Sequence, residues 1–142
     1  MTSSPSSRLE PPGGRPPPAS AAVAGTIVDL VPLATEICRR YREEFPDEAE
    51  RYGDAGIAWC VHDTQYLLAW AADEAGDREG TFEPQLLWLA DLLAARSFPL
   101  DRLARDLDLC AEVLAEGVPG SGPVQEVLRG GAATVRRHAH SG

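Results

Sequence analysis

Leu100, Leu103, Leu107, Cys110 and Leu114 recur at spacings of three and four residues. No other feature restricts the fold of this chain as strongly. On a helix of 3.6 residues per turn these side chains form one apolar stripe, which must be buried against another element. The same rhythm appears three more times. Leu30, Leu33, Ala34, Ile37, Tyr41 and Phe45 trace a first helix that ends before Pro46, because a residue preceding proline disfavours helical geometry. Asp29 is placed to cap it. Ile57, Val61, Leu68 and Ala72 mark a long helix from about residue 54 to 75, and Trp59, His62, Tyr66 and Trp70 give it a second, rotated stripe. A helix that is apolar on two faces is expected at the centre of a fold. Phe82, Leu86, Leu89, Ala90 and Leu93, with Trp88 and Leu92 beside them, trace another helix after a Gly76–Gly80 turn, with Thr81 as its cap.

Between these helices lie short breaks. Residues 47–52 read as an acidic helical turn closed by Gly53, Phe98-Pro99 is a tight break, and Gly117 is placed to end the fourth helix in a left-handed cap. No segment shows the two-residue alternation of a half-buried strand. The expectation is all-α: four to five main helices in an antiparallel bundle or a globin-like packing.

The ends differ from the middle. Residues 1–25 are rich in Pro, Ser, Ala and Gly, including Pro11-Pro12 and Pro16-Pro17-Pro18. Such a segment buries too little to offset its ordering entropy, so a disordered tail is expected. The helical domain is assigned to residues 26–118. Residues 119–142 read as a linker followed by a weak helix, interrupted at Gly130-Gly131. The first residues lack the apolar run of a secretory signal, and no stretch reaches the ~20 apolar residues of a membrane span. A cytoplasmic protein is expected.

Charge narrows the function further. The net charge is −9, and residues 26–118 hold 20 Asp and Glu against 8 Arg. That surface repels phosphate backbones and argues against nucleic acid as a partner. The chain has no Lys, which removes Schiff-base and phosphate-loop chemistry. Cys38, Cys60 and Cys110 are far apart and fall at apolar helical positions; they read as small buried hydrophobes.

The stretch AWCVHDTQYLLAW, residues 58–70, gathers most of the chemistry. His62 and Asp63 are adjacent, so they point about 100° apart on a helix, and no second histidine or Glu-x-x-His accompanies them as metal ligands. They read as hydrogen-bonding partners of neighbouring helices or as ligand contacts. Asp63 and Tyr66 share a face and suit an interhelical hydrogen-bond network. Trp59, Trp70 and Trp88 read as core, or as walls of a pocket for a flat ligand. His138 and His140 lie in the tail and do not make a metal site by themselves. No nucleophile motif or glycine-rich phosphate loop is present, so no catalytic residue, cofactor or metal is assigned.

DTQYLLAW at 63–70, Phe82 six residues before Trp88, and LLAARSFPLDRL at 92–103 together resemble a bacterial helical domain. It is the N-terminal partner of cobalamin-binding modules in regulators, and is similar to non-haem globin-like sensor domains. The resemblance covers about residues 57–116. It departs from the family at Leu67, where a His is common, and at Gln85, where a Tyr is common. Nothing after Gly117 matches a cobalamin-binding module. The resemblance implies a non-catalytic regulatory or sensor-like domain that docks to a protein partner or to a second copy. Its alternative implication is an accessory protein whose Trp59, His62, Tyr66, Trp70 or Trp88 caps a corrinoid held by a partner chain.

Overall fold

The computed structural model describes residues 16–141. Five helices and one small hairpin follow in the order β1 (Ser20–Val23), β2 (Thr26–Asp29), α1 (Leu30–Glu44), α2 (Asp47–Ala75), α3 (Phe82–Ala95), α4 (Leu100–Gly117) and α5 (Gly122–Ser141). The fold is an all-α bundle, as the periodicities require. No helix among the described residues is long and apolar enough to cross a membrane.

The N-terminal tail needs correction. Residues 1–15 lie outside the described residues, but the last part of the expected tail is built into the fold. β1 pairs antiparallel with β2, from Ser20 opposite Asp29 to Val23 opposite Thr26. Ala24 and Gly25 both have positive φ, 52° and 79°, the geometry of a two-residue hairpin turn. Val23 is buried, and the Leu30 amide donates to the Ala19 carbonyl at 2.8 Å. β1 is Ser-Ala-Ala-Val and carries no strand signal, but Thr26-Ile27-Val28 in β2 is a run of β-branched residues directly after the turn glycine, a strand signal that the all-α expectation overlooks.

α1 starts where Asp29 accepts from the Val31 amide at 3.2 Å and ends at Phe45. It buries Leu30, Ala34, Ile37, Cys38 and Tyr41. α2 is broken at Gly53, whose φ of 60° and ψ of −154° are not helical. The acidic turn and the long helix are therefore distinct pieces of one element. Gly56 is needed just beyond the break, since a Cβ there would sit 2.4 Å from the Tyr52 Cβ. The long piece is central and touches every other helix. It buries Leu67, Leu68, Ala69, Ala71 and Ala72.

α3 does not begin on a Thr81 side-chain cap. The Glu74 carboxylate takes that role, accepting from the Gly80 amide at 2.8 Å and the Phe82 amide at 2.9 Å. The Thr81 hydroxyl donates backwards to the Arg78 carbonyl. α4 buries Leu103, Leu107, Cys110 and Leu114 of its stripe, with Leu107 and Cys110 fully inaccessible, and leaves Leu100 half-buried. Gly117 is not left-handed; Val118 closes the helix on the Leu114 carbonyl and the positive φ falls on Gly120.

The largest correction concerns α5. It runs unbroken through Gly130-Gly131, packs more extensively on α4 than any other pair of elements pack on each other, and buries Val124, Leu128, Ala132 and Val135. The second glycine is a contact point. A Cβ on Gly131 would lie 2.7 Å from Phe82 Cε2 and 3.0 Å from Leu86 Cδ2, so its absence lets α5 approach α3. Nothing crowds Gly130. Residues 122–141 therefore belong to the bundle.

Arginines link the helices at the surface. Arg40 joins Glu36 and Glu116, Arg105 joins Glu44 and Glu112, and Arg136 joins Asp108. Exposed pairs of this kind contribute little each. They do show where part of the acidic excess is neutralised.

Candidate functional site

The second stripe of α2 forms a ladder of rings. Trp59 meets His62 at 5.5 Å, His62 meets Tyr66 at 5.4 Å, and Tyr66 meets Trp70 at 5.5 Å. Spacings of three and four residues stack them on one helix face. His62 is buried, and its Nδ1 lies 3.2 Å from Asp63 Oδ1. Its Nε2 has no partner among the described residues. The expected Asp63–Tyr66 network does not form. Tyr66 donates instead to the Pro16 carbonyl at 3.2 Å, and the neighbouring Gln65 amide donates to the Pro18 carbonyl at 3.0 Å. Residues 16–18 thus lie against this face. With its amide turned to suit its neighbours, Gln85 accepts from Trp70 Nε1 at 3.2 Å and donates to the Thr81 carbonyl at 2.9 Å. Trp88 stands apart, 46% exposed on α3.

A cavity of about 310 Å³ opens at the other end of the ladder. Its walls come from the end of α1, both pieces of α2, the α3–α4 connection and the start of α4. Tyr41, Tyr52, Trp59 and Phe98 supply aromatic surface, and Leu93 and Leu103 supply aliphatic surface. Of the six residues singled out in the sequence, Trp59 and Asp63 line it; His62, Tyr66, Trp70 and Trp88 do not. Tyr52 and Arg96 are exposed and mark the mouth, whereas Tyr41 and Asp106 are buried and mark the floor.

Asp106 carries the most information in this lining. Only 6% of it is exposed. Its Oδ2 accepts from the Thr64 hydroxyl at 2.9 Å, and Cys38 Sγ lies 3.5 Å from that hydroxyl, so the contact chain runs from α1 through α2 to α4. Among the described residues its Oδ1 has no hydrogen-bond partner; the Tyr41 hydroxyl has none of good geometry either, although the Glu48 carboxylate is close enough to act on it. A buried polar atom left unpaired costs about 1–3 kcal/mol, and native interiors rarely keep two in one place. Burial pushes the Asp106 carboxyl up to about 7, with a smaller push from the Asp63 charge against the lowering effect of the Thr64 bond. Asp63 is also raised by burial, opposed by His62 and Arg96. The Tyr41 phenol is raised by burial and by the Glu48 charge. The Cys60 thiol is held well above its ordinary value, first by its contact with Cys38 and then by burial.

Two arginines border the space. Arg102 is bound to Glu48 at 2.7 Å and to Asp47 at 3.1 Å, with its guanidinium carbon 4.4 Å from the Phe45 ring centre. Arg96 lies 5.4 Å from the centre of the Trp59 ring. Chemically this is an apolar, aromatic-walled receptacle in whose lining Asp106 Oδ1 and the Tyr41 hydroxyl have no well-formed hydrogen bond among the described residues. Among the described residues, no three His, Cys, Asp or Glu side chains are grouped to hold a metal ion.

The sequence reading missed Tyr41, Thr64 and Asp106. Tyr41 reads as an ordinary member of the α1 stripe. Asp106 left a signal: it lies three residues after Leu103 and four before Cys110, a carboxylate in phase with an apolar stripe. No family model, no curated protein and no solved structure matches this chain.

Proposed function

We propose that this protein is a non-catalytic, sensor-like helical domain, regulated by a small molecule held in the cavity beside Asp106. Its output is docking to a protein partner or to a second copy. The observation that carries the reading is the coincidence of unfilled space with unpartnered polar atoms. The ~300–1,000 Å³ range of small-molecule pockets includes this volume, and a strongly shifted acid in a cleft is a signature of a functional position. The cavity lies where α1, α2 and α4 meet, so an occupant that partners Asp106 or Tyr41 shifts the packing of three helices at once. A role without catalysis fits the state of the one thiol in the lining. Cys60 is held as the thiol, whereas nucleophilic attack needs the thiolate.

The corrinoid-capping alternative has less support. The ladder of Trp59, His62, Tyr66 and Trp70 is the surface it would use, and residues 16–18 already lie against that surface through Tyr66 and Gln65.

Amide chemical shifts of the labelled protein, recorded against mixtures of small aromatic and aliphatic compounds, test the reading. Binders are expected to move amides at 41–63 and 93–106. Binders that move only amides elsewhere, or a full screen that moves none, would overturn it.

A further inference from the structure

We infer that the cavity takes a small organic cation, an amine with an aromatic or branched aliphatic body, with Asp106 as its counter-charge. The inference rests on the ligand-binding reading above and names the ligand class. Four aromatic side chains, Tyr41, Tyr52, Trp59 and Phe98, contribute to the lining. Aromatic faces attract cations, most strongly where water is excluded. The protein already uses this attraction twice at the edge of the cavity, with Arg96 over Trp59 and Arg102 over Phe45.

Charge accounting in the lining points the same way. The groups facing Asp106 are Tyr41 and Cys38 from α1, Glu48, Cys60, Asp63 and Thr64 from α2, Arg96 from the α3–α4 connection, and Arg102 and Cys110 from α4. Arg102 is answered by Glu48 and Asp47. Asp63 lies 3.2 Å from His62 Nδ1 and feels the Arg96 charge. Among the described residues Asp106 makes no ion pair: its one bond comes from a neutral hydroxyl. A protonated amine among the rings supplies the missing charge, and its N–H groups are donors suited to an orphan carboxylate oxygen. The size is consistent. A cavity of ~150 Å³ holds a benzene, and this one is about 310 Å³, room for one ring with a short aminoalkyl chain. Linkage adds a signature. The free carboxyl has a midpoint of about 7, and a bound cation favours its ionised form, so affinity for an amine falls as pH drops below that midpoint.

The full-length protein is titrated by calorimetry at pH 8 with 2-phenylethylamine and, separately, with its neutral counterpart 2-phenylethanol; amide shifts locate each. The amine is expected to bind at least about tenfold tighter, a difference of about 1.4 kcal/mol. Asp106→Asn, which keeps an acceptor for Thr64, is expected to abolish that preference and leave the alcohol unchanged. In the wild type, amine affinity is expected to fall about tenfold per pH unit below 7, with no such fall for the alcohol. This second readout holds even where the variant fails to fold. Equal binding of the two compounds, or a preference that survives Asp106→Asn, overturns the cation assignment while the cavity stands as a ligand site. If neither compound moves amides around the cavity at millimolar concentration, both the class and the binding reading fall.

Discussion

Leu107 and Asp106 are neighbours on α4, yet they belong to two different interiors. Leu107 lies within the apolar core, completely inaccessible, on the helix that packs most extensively against α5. Asp106 faces the corner where α1, the broken start of α2 and the α3–α4 connection leave about 310 Å³ unfilled. At the first end the stripes of α4 and α5 close on each other, and Gly131 lets α5 approach α3 where a side chain would not fit. At the second, the chain spends a carboxylate and a phenol on positions where neither has all its partners. Packing that serves stability alone does not leave such pairs, because each unpartnered group works against the folded state. The difference separates a structural end of the bundle from an end shaped for something else.

The sharpest way to break this comparison is to truncate one leucine at each end. Leu107→Ala is expected to cost about 2–5 kcal/mol, the usual range for a fully packed core position. Leu103→Ala, one turn earlier on the cavity wall, is expected to cost less than half as much, because a wall facing empty space has fewer contacts to lose. Urea denaturation of both variants measures the difference. Equal losses would mean that the cavity end is packed as tightly as the other.

Two adjacent glycines sharpen the description of the closed end. Gly131→Ala drives a methyl into Phe82 and Leu86 and is expected to cost about 1–3 kcal/mol. Gly130→Ala meets nothing and is expected to stabilise by up to about 1 kcal/mol through helix propensity. Thermal melts of the two variants should move in opposite directions. Melts that move together would contradict the close approach of α5 to α3.

These glycines also show where the sequence is legible and where it is not. Apolar stripes carry their own period, so α1, α3 and α4 are readable from residues such as Ile37, Leu89 and Leu107. A helix maintained by tertiary contact is not: α5 looks interrupted because the benefit of Gly131 lies on Phe82, about fifty residues away. The hairpin is hidden for the same reason. Its strands are short, Thr26-Ile27-Val28 is the one strand signal they carry, and the alanine-rich β1 is fixed by contacts of Ala19 just before it with α1 and of Val23 with the core. At the site, Trp59 and Asp63 are recognisable because they stand in a conspicuous stretch. Asp106 leaves a weaker trace, a carboxylate in phase with the α4 stripe, and Tyr41 becomes recognisable only when the space beside it is seen.

The smallest effect concerns the ring ladder. Asp63 and Tyr66 have different partners, His62 and Pro16. Asp63→Ala and Tyr66→Phe are therefore expected to add within about 0.5 kcal/mol in the double variant. A larger coupling in a double-mutant cycle would show that the two side chains act together.

The central claim, that Asp106 is a buried acid not fully partnered at the floor of a ligand site, is tested most directly by following its side-chain carboxyl carbon through a pH titration by NMR in the ligand-free protein. The account predicts a midpoint near 7. A midpoint above that of the unfolded chain also fixes the sign of its effect on stability. Between about pH 4 and 7 the folded protein holds a proton that the unfolded chain has already lost, so this group subtracts stability as pH rises. A midpoint near 4, the ordinary value for a solvated aspartate, would show that the carboxylate is hydrated or fully partnered, and would contradict the account.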